Sequence, residues 1–166
     1  MAPRPEEVSV RRVIACFAPG SAAAPAAIAR LARDLRAELL GLFIEDEALL
    51  RFAALPFAAE VGFASAAART LDPASLQRAL RAQAAALEHA LGAVLDPAAL
   101  AWSFRVARAS PASAVQAALA EGYAPSLLIP PRGSLRGERA VLRLAELDEE
   151  MLRGLLAGVR PVLVLP

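Results

Sequence analysis

The sequence predicts an α/β fold, a three-layer sandwich with helices on both sides of a five-stranded, mostly parallel sheet. Two observations carry this. Short β-prone apolar runs recur along the chain, and between them lie longer stretches whose apolar residues fall at helical spacing. Several runs are also continuous rather than alternating, as in strands covered on both faces.

The elements follow in order. Residues 1–10, MAPRPEEVSV, are proline-rich and charged at the start, and read as a flexible lead-in to a single domain over 11–166. Residues 13–17, VIACF, form the first strand, and Pro19-Gly20 turns the chain. Ser21 then offers a cap to a helix marked by Ile28, Leu31, Leu35 and Leu39, with Arg30, Arg33, Asp34 and Glu38 on its other side. Residues 40–44 are the second strand, which runs into Glu45, Asp46 and Glu47. A strand, helix and strand in this order make one right-handed crossover.

Residues 48–71 carry Phe52, Leu55, Phe57, Val61 and Phe63 with breaks at Pro56 and Gly62. Beyond a short helix near 48–54 they give no regular pattern, and these apolar residues are expected to cover the core or form a dimer contact, in preference to an exposed apolar patch for another partner. Asp72-Pro73 is a capped helix start. Leu76, Leu80, Leu87 and Leu91 mark its buried side, and Gly92 offers a stop. The third strand alternates, with Trp102, Phe104 and Val106 on one face and Ser103, Arg105 and Ala107 on the other, as at a half-covered edge. Ser110-Pro111 starts the next helix and Gly122 closes it. SLLIP is the fourth strand, ELDEEMLRGLLAGV the last helix, and PVLVLP the fifth strand.

Composition narrows the function. The chain has 166 residues, is 57% hydrophobic and carries a formal net charge of +1, with arginine as its sole basic type besides His89. A balanced charge removes the electrostatic case for nucleic acid or an anionic membrane as partner. Cys16 is the one cysteine, so no intrachain disulfide forms and a cytoplasmic location is expected. The segment RRVIACFAPGSAAAPAA has the parts of a secretory signal. Its apolar run is short, however, follows Glu6 and Glu7, and ends in a turn, so a strand is the preferred reading.

The order of RRVIACFAPGS, LLGLFIED, the long helix before WSFRVARASPASAVQAA, the PRG loop and the terminal RPVLVLP resembles the universal stress protein family, over most of residues 12–166. The resemblance implies a Rossmann-like sheet in the order 3-2-1-4-5, of the adenine nucleotide alpha hydrolase-like type, and a homodimer formed through the last strand. Pro161, Val162, Leu163, Val164 and Leu165 are then the expected dimer contacts. It also implies a crevice between the first and fourth strands, where open α/β sheets place ligands. The candidate binding residues there are Ala18, Gly20 and Ser21 on one loop, with Arg132, Gly133, Ser134, Arg136 and Gly137 on the other.

The ATP-binding branch of that family resembles GxxGxxxxxxxxxG followed by Ser or Thr. Laid on this chain, the pattern falls on Pro130, Gly133, Arg143 and Leu144, so one position of four is kept. Proline has no N–H and arginine lacks the backbone freedom of glycine. Ala18-Pro19 also replaces the aspartate that usually ends the first strand. The expectation is a non-enzymatic, stress-response domain with a degenerate nucleotide motif and no cofactor, acting through dimerisation and protein contacts. Two alternatives stay open: a sensor binding a nucleotide or other anion through the arginine loop, and an enzyme of the wider nucleotide-binding group.

No metal site and no catalytic residue is expected. The Glu45, Asp46, Glu47 cluster has no matching group elsewhere, and His89 lacks a second histidine or a cysteine partner. Cys16 sits inside a strand, and no serine has a nucleophile-elbow setting.

Overall fold

In a computed structural model, residues 8–21, 24–61, 68–70, 72–122, 124–135 and 138–166 are described. The lead-in up to residue 7, Phe63, Arg136 and Gly137 lie outside them. The chain runs β1 (Arg12–Phe17), α1 (Pro25–Leu35), β2 (Glu38–Asp46), α2 (Glu47–Ala53), β3 (Ala59–Val61), β4 (Ala68–Thr70) and α3 (Pro73–Leu95). It continues through β5 (Trp102–Ala109), α4 (Pro111–Ala120), β6 (Ser126–Ile129), β7 (Ala140–Arg143), a 3-10 turn (Leu144–Glu146), α5 (Glu149–Ala157) and β8 (Val162–Leu165). The main sheet has six strands in the order β5-β2-β1-β6-β8-β7, and β3 and β4 form a separate antiparallel pair.

The alternation of strand side chains explains the continuous apolar runs. Val13, Ala15 and Phe17 of β1 join the core layer under α1 and α3, together with Leu39, Phe43, Leu127 and Ile129. Ile14 and Cys16 point to the opposite layer, under α4 and α5, together with Leu40, Leu42, Ile44 and Leu128. A strand with helices on both faces must be apolar at every position.

The expected order 3-2-1-4-5 is present as β5-β2-β1-β6-β8, with β7 added beyond it. β1, β2, β5 and β6 are mutually parallel, whereas β8 runs antiparallel to β6 and parallel to β7. The expectation of five strands is corrected to six because the chain after β6 turns back as a further strand. Leu142 packs on the α4 and α5 layer while Val141 faces outward.

This overturns the premise behind the expected dimer contacts. Pro161, Val162, Leu163, Val164 and Leu165 form an inner strand, with β6 on one side and β7 on the other. A strand paired on both sides has no free backbone edge to offer a partner.

Local signals were partly competing. Asp72 accepts hydrogen bonds from the N–H groups of Ala74 and Ser75, and Ser110 caps α4 through Ser113, as the sequence indicated. Ser21 does not cap α1. Its N-cap is Ala24, without a side-chain bond. Leu39 leaves the helical series because Arg36 ends α1 in the left-handed conformation (φ 52°), which starts β2 at Glu38. Gly92 does not stop α3, which runs on to Leu95. A Cβ at position 92 would lie 3.2 Å from Trp102 Cζ2, so this glycine admits the indole. Finally, Phe52, Leu55 and Phe57 do not cover the core. They are exposed, Phe57 to 77%, while Ala53 and Ala58 are the residues buried there.

Candidate functional site

The order β2-β1-β6 places a topological switch between β1 and β6, whose carboxyl ends lie side by side, Ala15 level with Ile129. A cavity of about 240 Å³ opens there. Ala24 and Ile28 of the start of α1 line it, with Ile129, Pro130, Pro131, Arg132, Gly133 and Leu135 from β6 and the loop beyond. The location is the one the fold favours for ligands. The volume falls below the roughly 300 Å³ at which small-molecule sites begin.

Of the candidate binding residues, Arg132 and Gly133 line the cavity. Ala18, Gly20, Ser21 and Ser134 lie on the two flanking loops without lining it. The apolar lining was missed in the sequence, although two signals existed. Ile28 is the first large apolar residue of α1, and Leu135 is an isolated apolar residue on a polar loop that packs against the core.

Three main-chain donors of these loops are committed within the protein. Ser21 N–H donates to Ala18 O at 3.0 Å, Gly133 N–H to Pro130 O at 2.8 Å, and Ser134 N–H to Val159 O at 2.7 Å. Pro130 and Pro131 have no N–H to give. A phosphate cradle needs several such groups turned toward the ligand. Gly133 has a different reason to be glycine here. A Cβ would lie 2.8 Å from Pro130 O and 2.9 Å from Ile129 Cγ2, so the tight turn excludes any side chain.

The far half of the phosphate pattern is not at the crevice at all. Leu128 pairs with Val162 and Val162 with Ala140, while Ser126 pairs with Val164 and Val164 with Leu142. Arg143 is thus level with a point beyond the amino end of β6, roughly 13 Å along the sheet from Ile129 at about 3.3 Å per residue. Leu144 begins the 3-10 turn, and α5 is capped there by Asp148, which accepts from Met151 N–H at 2.7 Å. The helix that would face a phosphate starts at the opposite end of the sheet.

Each of the three carboxylates at the end of β2 and the start of α2 has a structural partner. Glu45, buried at 7% side-chain exposure, accepts from Arg108 Nη2 at 3.0 Å and Nε at 3.2 Å. Asp46 caps α2 through Ala48 N–H at 2.9 Å, and Glu47 pairs with Arg51 at 3.2 Å. His89 is exposed on α3. Cys16 is enclosed, and burial pushes its thiol up to about 12, so the nucleophilic thiolate is suppressed. Among the described residues no cluster of three or more His, Cys, Asp or Glu could hold a metal ion.

With this geometry in place, the chain can be set beside known proteins. The similarity is to a universal stress protein. A crystal structure described as a protein of that family from Burkholderia pseudomallei aligns over 92% of this chain and 95% of its own, at 18% identity and a TM-score of 0.44. No family model and no curated protein sequence matches. Among the described residues, no helix is long and apolar enough to cross a membrane.

Proposed function

We propose that this chain is a universal-stress-protein-like domain of the cytoplasm that has given up ATP binding and works through protein contacts in a stress response, without enzymatic chemistry. The observation that supports it best is the reversal of the last part of the sheet. With β7 and β8 antiparallel to β6, Arg143 and Leu144 stand at the wrong end of the sheet to complete a phosphate site. The crevice that remains is small and apolar, and the donors of Ser21, Gly133 and Ser134 are spent on internal carbonyls. Binding a triphosphate there would require breaking those bonds with no glycine-rich segment to replace them.

The test is thermal unfolding with and without Mg-ATP, Mg-ADP and AMP. A nucleotide present at 100 times its dissociation constant adds about 2.7 kcal/mol to a protein it binds, a shift that is easily read. The expected result is no change in melting temperature at millimolar nucleotide. A clear rise, or ATP or AMP retained by the native protein after dialysis, would refute this reading.

A second reading keeps some support from one residue. Arg132 is exposed at the cavity rim, where its guanidinium is the charged group available to a small anion among the described lining residues. Such a ligand would be held by side chain rather than backbone, and Arg132→Ala would abolish its binding.

A further inference from the structure

β5 is the edge of the main sheet on the side away from β7, so one row of its backbone groups has no partner strand among the described residues. It is eight residues long, and its central Val106 is 47% exposed. Along this edge, between β5 and α3, runs a groove of about 390 Å³ with Phe104, Val106 and Ala84 at its base. Arg81 and Glu88 of α3 stand over it. Neither has an ion-pair partner among the described residues, and they are separated by two helical turns on the same flank, with Ala85 between them.

A two-fold interface requires a surface that complements itself. This flank of α3 does so. About a two-fold axis passing between Ala84 and Ala85, Arg81 of one chain meets Glu88 of the other, and the reverse pair forms as well. The strand carries the same symmetry. An axis through Val106 sets the two valines against each other and places each Phe104 opposite an Arg108 whose guanidinium is held by Glu45 of its own chain.

The two axes fall at nearly the same level along the strand. Gly92 of α3 packs on Trp102 of β5. Four residues on, at Val106, the strand has advanced about 13 Å, which α3 running the other way covers in about nine residues, reaching position 83. That lies within two residues of the midpoint of Arg81 and Glu88. The helix spans the β2 and β5 pair, since Leu91 lies 3.0 Å from where a Cβ on Gly41 would stand. With strands about 4.8 Å apart, two such helices would sit roughly 10 Å from each other, an ordinary packed spacing.

We infer that the partner on this face is a second copy of the same chain. The two β5 edges join antiparallel, the two α3 helices pack antiparallel above them, and the six-stranded sheets continue into one another. Small alanines at the crossing let the helices approach, and the paired arginine and glutamate fix their register. The inference stands independently of whether the crevice binds a nucleotide, because none of its residues is shared with that cavity.

Sedimentation equilibrium at micromolar concentration tests it, with circular dichroism to verify the fold of each variant. The wild type is expected to be a dimer. Arg81→Glu and Glu88→Arg, both exposed on α3, should each weaken it by about tenfold or more, since like charges then meet twice across the axis. The double variant R81E/E88R should recover the dimer, because the exchange restores both pairs. A monomeric wild type, a dimer unaffected by R81E, or a double variant no tighter than the single ones would overturn the inference.

Discussion

Cys16 sits in the middle of β1 with its thiol turned into the layer beneath α4 and α5. Burial alone sets its behaviour. Desolvation disfavours the thiolate and raises the thiol to about 12 from its ordinary value of 9.0. Because the folded value is raised, the unfolded chain ionises first, so the stability conferred by the neutral thiol is whole below about pH 9 and is lost as pH rises toward 12. Cys16→Ala should remove that alkaline slope. In the native protein near pH 8, labelling by a thiol reagent should be far slower than in denaturant, because the enclosed thiol is reached only when β1 opens and its thiolate is disfavoured while it stays buried. Rapid native labelling would show that β1 is more accessible than the structure has it.

At the scale of the element, α3 shows how a local signal and a tertiary demand divide the work. Its start was legible, because Asp72 followed by Pro73 is a cap with the right φ already built in. The carboxyl of Asp72 is held below the usual carboxylate range, first by the Ser75 hydroxyl and then by the Ser75 N–H. A depressed value means the cap is present above the unfolded carboxylate range and is lost as pH falls through the folded one. Asp72→Ala should therefore lower the melting temperature near neutral pH, with the gap between variant and wild type closing in acid. Asp72→Asn should keep most of the cap and none of its acid dependence. A gap independent of pH would show that the carboxylate does not act as the cap. The end of α3 was not legible. Gly92 has the look of a stop, yet the indole of Trp102 needs the space beside it and the helix passes through.

For the whole molecule, the decisive feature is the direction of the last two strands. Since β8 has neighbours on both sides and β7 has one, amide exchange separates this arrangement from one in which β8 is the edge. Val162, Leu163 and Val164 should exchange at rates near those of β1, by opening of the whole sheet, while the outward amides of β7 should exchange much faster. Fast exchange along 162–164 with protection absent from 140–143 would return β8 to the edge. The same topology links fold to function, because it carries the start of α5 away from the crevice and leaves β5 and β7 as the two edges.

The sequence by itself determined the alternation of strands and helices, which strands are covered on both faces, and the caps of α3 and α4. These follow from local chemistry: continuous or alternating apolar runs, and an oxygen-bearing residue placed before a proline. It also shows Pro130, Arg143 and Leu144 at the positions where the family resemblance would place two glycines and a hydroxyl residue. Only the tertiary structure decided the rest. Strand direction at β7 and β8, the inner place of residues 161–165, the exposure of Phe57 and the pairing of Glu45 with Arg108 depend on residues far apart in the chain. A strand reads the same in either direction and at either an edge or an inner place when its side chains are covered. Hydrogen-bond partners decide which it is, and they leave no mark on the local sequence.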